Sequence, residues 1–349
     1  MKTLRTTKKR RAAFWSVMIC SAGLLAIPSA SAFTAANAAT AVSSYNNAFY
    51  VGNNGNAYYK KSTADGSHSG FWRTAEQIEM MIDAYNQTGN ANYKSIITAL
   101  CNGFINDHGT SWSGNSFNDD IAWACNAFIR ANSVTGNATF ANISKSNFDM
   151  MYARAWDTQL GGGLWWTTAK TSKNSAVQGP AAIVAYRLYQ YTGTSSYLTK
   201  AQNINNWQKA TLYESATGKI YDKINANGTL VTAATTYNQG TFMGGCFYLG
   251  DNANKTKAGN FVKNHWGTNM AVNGQNMDFG GFNGICLRWM RISGYDVAYR
   301  RAVANNAWSK RRTSDNLCWN AWNAVTPSGT LYSWDCSSMV CALMNVNPG

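Results

Sequence analysis

One punctuation mark recurs along this chain and limits its fold more than any other feature: an apolar helical run, a glycine, then a more polar helical run. The glycines are Gly89, Gly136, Gly193, Gly250 and Gly294, spaced 47, 57, 57 and 44 residues apart. Thr88-Gly89-Asn90, Thr135-Gly136-Asn137, Thr192-Gly193-Thr194 and Leu249-Gly250-Asp251 each read as a helix ended by glycine and followed at once by a cap for the next helix. The less polar runs span 74–87, 119–134, 178–191, 239–249 and 282–292; the more amphipathic ones span 92–106, 139–155, 196–212, 254–265 and 296–310. A sixth apolar run, 337–344, closes the chain, and its expected partner is the segment 41–59. Runs that are apolar nearly all round need neighbours on every side, so they belong inside, with the amphipathic runs around them. The pattern predicts an all-α fold, an (α/α)6 toroid of six inner and six outer helices in one domain over 33–349. Strand-like alternation is confined to short pieces such as 219–224 with 228–230, which predict a hairpin in a connection.

An open solenoid of the same helix pairs would satisfy the periodicity alone. The connections favour a closed ring. In a ring, every connection into an inner helix emerges at the same end, and here those connections are long and chemically alike. In order they hold Phe71-Trp72-Arg73, then Trp112 with Asn118-Asp119-Asp120, then Gly161-Gly162-Gly163-Leu164-Trp165-Trp166 with Lys173-Asn174. Tyr237-Asn238-Gln239-Gly240, Gln275-Asn276-Met277-Asp278-Phe279, and Trp322, Trp334 and Asp335 follow. Flat aromatic faces beside amides and carboxylates suit a carbohydrate.

The pair Asp119-Asp120 stands out because acids are scarce, 16 Asp plus Glu in 349 residues. At a helix start, an acid can simply cap free N–H groups and meet the positive end of the dipole. The pair also has the makings of a glycosidase centre. Such enzymes need one carboxylate ionised and one protonated, about 5–5.5 Å apart for retention or about 6.5–9.5 Å for inversion. Burial and mutual repulsion separate the two pKa values. Other acids have plainer readings: Asp251 and Asp296 as N-caps, and Glu76, Glu79 and Asp83 on a solvent-facing helix side. Asp278 and Asp335 remain secondary candidates because their connections lie at the aromatic end.

Residues 1–32 read as a secretory leader, with a basic head (Lys2 to Arg11), an apolar stretch (Ala12 to Ile27) and a small-x-small site at Ala30-Ser31-Ala32. The formal charge of +14 falls to +8 without the six basic residues of the head. No block of Lys or Arg points to nucleic acid, and no later segment is apolar enough to span a bilayer. The expectation is a secreted, extracellular monomer, with no membrane association once the leader is removed. Seven cysteines remain after Cys20 leaves, so disulfide bonding is expected with at least one cysteine unpaired. His68, His108 and His265 are isolated, and no zinc-ligand spacing, nucleophile elbow or nucleotide-binding glycine loop occurs, so neither metal nor cofactor is expected.

Four blocks in order, Asn118-Asp119-Asp120-x-x-Trp123, Gly162-Gly163-Leu164-Trp165-Trp166, Lys173-Asn174 and Thr236-Tyr237-Asn238-Gln239-Gly240, resemble glycoside hydrolase family 76. The resemblance runs from about Phe49 to Met344. It implies the (α/α)6 fold and retaining endo-α-1,6-mannanase activity on mannan backbones, with some relatives acting as cell-wall transglycosidases. By the same resemblance Asp119 is the nucleophile and Asp120 the general acid/base, while Trp165, Trp166, Tyr237, Asn238 and Gln239 line sugar subsites. Trp123 and Asn174, within the matching blocks, and Asp278 complete the expected substrate-binding set. Members often carry a second Trp after the Asp pair, where this chain has Ala124. A non-catalytic glycan-binding protein is the competing class; two adjacent, mutually repelling carboxylates argue against it, since binding alone does not require them.

Overall fold

A computed structural model of the chain describes residues 32–272 and 278–349. The expected leader, apart from its last residue, and Gln275, Asn276 and Met277 of the fifth connection lie outside the described residues. Helix α1 (Ala35–Phe49) opens on a capping box between Thr34 and Asn37. It runs into an antiparallel hairpin of β1 (Tyr50–Asn53) and β2 (Asn56–Tyr59), so the expected partner segment is a helix followed by a hairpin. Helix pairs follow in chain order: α2 (Phe71–Thr88) and α3 (Ala91–His108), then α4 (Asn118–Thr135) and α5 (Ala138–Ala155). After strand β3 (Ser172–Asn174) come α6 (Ser175–Thr192) and α7 (Ser195–Thr211). Four short strands, β4 (Tyr213–Glu214), β5 (Lys219–Ile220), β6 (Lys223–Asn225) and β7 (Leu230–Val231), precede α8 (Thr236–Tyr248) and α9 (Asn252–Trp266). The chain ends with α10 (Phe282–Ile292), α11 (Val297–Ser309) and α12 (Ser333–Met344).

The even-numbered helices form the inner wall. Each packs on the next, and α12 returns to α2, which closes the ring. The closure is hydrogen-bonded as well as packed: Gln77 Nε2 donates to Tyr45 Oη at 2.9 Å and to Ser333 Oγ at 3.0 Å, tying α2, α1 and α12 together. Inner helices are covered on all sides, as their sequences require; every residue of α4 from Ile121 to Ala131 is buried. The glycines that end α2, α4 and α6 adopt φ of 68°, 75° and 70°, the left-handed conformation that favours glycine at this position. Asn90, Asn137, Asp251 and Asp296 cap the outer helices α3, α5, α9 and α11 with their side chains.

Four expectations are corrected. First, α2, α6, α8 and α12 start three or four residues earlier than predicted, because their first turns carry residues such as Trp72, Arg73 and Tyr237 that read as connection chemistry. Second, the expected hairpin of 219–224 with 228–230 forms only in part: Lys223 and Ile224 pair antiparallel with Val231 and Leu230, whereas Lys219 and Ile220 belong to a separate turn. Gly218, at φ 86°, turns β4 onto β5, whereas β6 pairs with both β3 and β7. Third, the seven cysteines of the described residues are all free and buried, so no disulfide forms among them. All but Cys318 act as small packing residues on helices: a Cβ on Gly240 would stand 2.6 Å from Cys286 Cα, so α8 and α10 meet there almost backbone to backbone.

Fourth, Glu76, Glu79 and Asp83 do not face solvent. Their shared helix face points into the ring, where all three are buried. Arg288 of α10 pairs with Glu76, with Glu79 at 2.9 Å and with Asp83 at 2.6 Å. Arg130 of α4 pairs with Glu79 and, at 2.7 Å, with Asp83. Burial lifts Glu76 to about 7 despite Arg288 beside it. Burial also pushes on Asp83, but Arg288 and Arg130 outweigh it and hold that carboxyl below its ordinary range. Two guanidiniums thus face three carboxyls, and the cluster is neutral when Glu76 keeps its proton.

Candidate active site

The first turn of α4 holds the acid pair, and three neighbours fix its direction. Asn118 donates from its backbone to the Trp166 carbonyl and from its side chain to the Trp165 carbonyl, both at 2.8 Å. Arg154, on α5, donates to Asn118 Oδ1 at 2.8 Å and to the carbonyls of Ser113 at 2.9 Å and Asn115 at 2.5 Å. Asn115, held in this way, donates from Nδ2 to Asp120 Oδ2 at 3.1 Å. Asp119 Oδ1 is buried and has no hydrogen-bond partner among the described residues.

Around the pair opens a cavity of about 430 Å³, walled by Trp72, Phe117, Trp123, Trp166, Tyr237 and Phe282, with Asp278 also lining it. The aromatic wall is made of packed rings: Tyr237 and Phe282 lie 4.0 Å apart, Trp123 and Tyr237 6.0 Å, and Phe117 and Trp166 5.4 Å. Desolvation by this wall dominates the electrostatics. It raises Asp119 to about 8, helped by the Asp120 charge and opposed by a hydrogen bond from the Trp166 side chain. It raises Asp120 only to about 6, because Asn115 and the Arg73 guanidinium favour the ionised form. Near neutral pH the two carboxyls therefore hold one proton between them. Burial, with the charges of Asp222 and Asp119 nearby, pushes the Tyr237 hydroxyl far up, so it stays a neutral phenol that can donate a hydrogen bond.

Of the residues singled out in the sequence, Asp119, Asp120, Trp123, Trp166, Tyr237 and Asp278 meet at this cavity. Asp278 is most exposed, its side chain 75% accessible and paired with Arg73 at 3.0 Å. Trp165, Asn174, Asn238 and Gln239 do not line it. Trp165 is turned inward, donating from Nε1 to Asp157 at 2.5 Å while the buried Lys173 ammonium sits 4.6 Å from its ring centre. Lys173 also donates to the Gly162 carbonyl at 2.6 Å, so the glycine run wraps an internal cation and leaves the cavity wall to Trp166. Asn174 is a strand residue accepting from Ser172 Oγ at 2.7 Å. Asn238 is fully buried one position beyond Tyr237. Gln239, with its amide oriented to satisfy both contacts, donates to the Gly218 carbonyl and accepts from the Ile220 N–H. Asp335 is fully buried where Gly280 packs against it, and it too lies off the cavity wall. Ala124 is fully buried, so the missing second Trp leaves no gap in this wall.

Sequence reasoning named Trp72 in the first connection but placed neither it nor Phe117 or Phe282 among the expected substrate-binding residues. A positional signal was there: each is the first or second residue of an inner helix, or its N-cap.

The sequence profile described as glycosyl hydrolase family 76 matches residues 34–329. The chain belongs to glycosyl hydrolase family 76. Relatives of this family 76 chain include the mannan endo-1,6-alpha-mannosidase DCW1 of Candida glabrata, 30% identical over 200 residues that cover 51% of this chain and 45% of that protein. The mannan endo-1,6-alpha-mannosidase DFG5 of Candida albicans is 31% identical over 208 residues, again 51% of this chain and 45% of the other. The chain spans about half the length of the curated relatives it matches. Among solved structures, an inactive variant of the α-1,6-mannanase GH76A of Salegentibacter sp. HEL1_6, with two consecutive aspartates changed to asparagine and α-1,6-mannotriose bound, aligns with a TM-score of 0.78 at 23% identity. That alignment covers 89% of this chain and 98% of the other. Dfg5 of Chaetomium thermophilum in complex with glucosamine aligns at 0.67 and 16% identity, over 79% and 80%. At these identities the likeness establishes the toroid, in agreement with the ring described above.

Proposed function

We propose that this family 76 chain is a secreted retaining hydrolase that cuts α-1,6-mannosidic linkages within mannan backbones. One observation carries the chemistry: two adjacent carboxyls, raised to about 8 and about 6, share a proton inside an aromatic cleft. The substrate class rests on family membership and on relatives named for mannan endo-1,6-mannosidase activity. In the Salegentibacter protein the inactive variant lacks two consecutive aspartates, which supports giving Asp119 and Asp120 the two catalytic roles.

Asp119 is the nucleophile in this proposal. Its partnerless Oδ1 has no competing donor and attacks the anomeric carbon of a mannosyl unit stacked in the cleft. The bond to the leaving sugar oxygen breaks as Asp120 delivers its proton to that oxygen, leaving a covalent mannosyl–Asp119. Asp120, now ionised, takes a proton from water, whose oxygen displaces Asp119 with overall retention. In the empty cleft, Asn115 and Arg73 draw the charge to Asp120 and leave the proton on Asp119. Attack needs the opposite distribution, so productive binding moves the proton from Asp119 to its neighbour. If a sugar hydroxyl replaces water in the second step, the same intermediate gives transglycosylation, and product analysis separates the two outcomes. Export is read from the N-terminal mass of the secreted chain, which starts at Phe33 when the leader is cut after Ala32; an intact Met1 start contradicts it.

The shared proton sets the pH dependence. At pH well below 6 both carboxyls are protonated and no nucleophile remains; well above 8 both are ionised and no acid remains. kcat/KM is expected to be bell-shaped, with limbs near pH 6 and pH 8, when initial rates are measured at low substrate. A profile with one limb, or a maximum outside that window, contradicts the shared proton. Arg154 is a positioning residue, acting through Asn115 and Asn118. Arg154→Met should lower kcat by roughly tenfold or more with KM within about twofold, and should move the acid limb to higher pH as Asn115 loses its hold on Asp120. Arg154→Lys should restore part of both effects. A change in melting temperature alone, with the acid limb unmoved, would reduce Arg154 to a packing role.

A further inference from the structure

A second groove, of about 330 Å³, opens between the β1–β2 hairpin and the C-terminal end of α3, and it shares no lining residue with the cleft. Its depth follows from Gly103. A Cβ there would stand 2.0 Å from the Ala57 carbonyl oxygen, so the hairpin lies directly on the helix with no side chain between them. Tyr58 stacks on His68, ring centres 3.7 Å apart and 21° from parallel. His68 Nδ1 in turn shares a 2.5 Å hydrogen bond with Asp107, which fixes the imidazole and with it the aromatic platform. The exposed side chains of Asn53, Asn54 and Asn106 surround the platform.

The lining chemistry selects the ligand. No Lys or Arg lines the groove, although the chain carries a formal charge of +14, so it is not built for anions. Aliphatic side chains contribute only Val51 and Ala57, too little for a lipid or an apolar helix. No group of three or more His, Cys, Asp or Glu gathers among the described residues, so the His68–Asp107 pair is not the start of a metal cage. What remains is a flat aromatic pair ringed by amides and one carboxylate, groups that both donate to and accept from neighbouring hydroxyls. That is the recognition chemistry of a neutral sugar.

Its place in the ring gives it a use. Phe71, the residue before the cleft-lining Trp72, contacts the ring of His108 at 4.9 Å, and His108 follows Asp107. The groove therefore lies beside the start of α2, which carries the cleft-lining Trp72, at the end of the ring where inner helices begin. We infer that the groove is an accessory glycan site that holds a second stretch of the neutral mannan chain while the cleft cuts it. This rests on the functional reading above.

The test separates the two. Affinity for unbranched α-1,6-mannan is measured by titration in an Asp119→Asn background, which prevents cleavage. Cleavage of the short substrate α-1,6-mannotetraose is measured in the active chain. Tyr58→Ala should weaken polymer binding by about 5- to 10-fold and leave kcat/KM on mannotetraose within about twofold. Because Tyr58→Ala could disturb the hairpin, Asn106→Arg is run beside it; its long side chain fills the groove from an exposed helix position and should produce the same split. If both variants bind polymer like the parent while the active chain cleaves mannan, the groove is no glycan site and the function stands. Equal losses on polymer and mannotetraose also overturn the site, since they mean the cleft has been disturbed. If the parent neither binds nor cleaves mannan, the functional reading falls first and this one with it.

Discussion

Asp119→Ala is expected to abolish turnover of every glycoside, by roughly 10⁴-fold or more, because the nucleophile is needed in both steps. Asp120→Ala should behave differently. An activated aryl α-mannoside has a leaving group that departs without protonation, so the first step survives on that substrate. The second step then lacks its base, and azide, which needs none, should restore turnover and yield a glycosyl azide of retained configuration. Both variants are read by initial rates with and without azide, beside product configuration. Exchanged phenotypes reverse the two roles and agree with the charge distribution of the empty cleft, where Asp120 is the more readily ionised carboxyl. Near-normal mannan cleavage by both variants reduces the pair to a helix cap.

The second large effect is on stability. Arg288 serves Glu76, Glu79 and Asp83 at once, so Arg288→Ala leaves three buried carboxyls with Arg130 alone. Breaking a buried pair by removing one partner typically costs about 3–5 kcal/mol. The expected result is a chain that fails to accumulate, or one that unfolds at markedly lower denaturant than the parent. Glu76→Gln goes the other way. The Glu76 pKa is raised to about 7 from 4.5, so the folded state holds this proton more tightly than the unfolded chain. Its contribution is fully present below pH 4.5 and is lost as pH rises through 7. The glutamine variant should lose less stability than the parent between pH 5 and pH 8, by on the order of 1–3 kcal/mol. The urea midpoint at the two pH values checks this, and equal losses in both proteins refute a protonated Glu76.

The ring was legible because its punctuation is local chemistry: a left-handed glycine follows α2, α4, α6, α8 and α10, and a side chain caps α3, α5, α9 and α11, although Thr194 before α7 makes no such bond. The acid pair was legible because acids are rare in this chain and these two stand at a helix start. Adjacent aromatics were harder. Trp165 and Trp166 are adjacent in one connection, yet one ring meets Asp157 and Lys173 and the other meets the cleft. Sequence supplies the pair but not its phase. The acids of α2 failed for a different reason. Their spacing shows a shared face, but Arg130 lies 51 residues from Glu79 and Arg288 lies 212 from Glu76. Only closure of the ring brings them together, and no local pattern announces it. Phe282 was passed over because an aromatic residue opening a helix reads equally as packing, whereas Trp72 was placed in a connection and not among the binding residues.

The central claim, retaining cleavage of α-1,6-mannan by the Asp119–Asp120 pair, is tested most directly by following unbranched α-1,6-mannan by proton NMR as the full chain acts on it. Oligosaccharides of intermediate length should accumulate, with new reducing ends appearing first as the α anomer and relaxing later to the equilibrium mixture, while Asp119→Asn releases none. Reducing ends that appear first as the β anomer, or release by Asp119→Asn at the parent's rate, would contradict it.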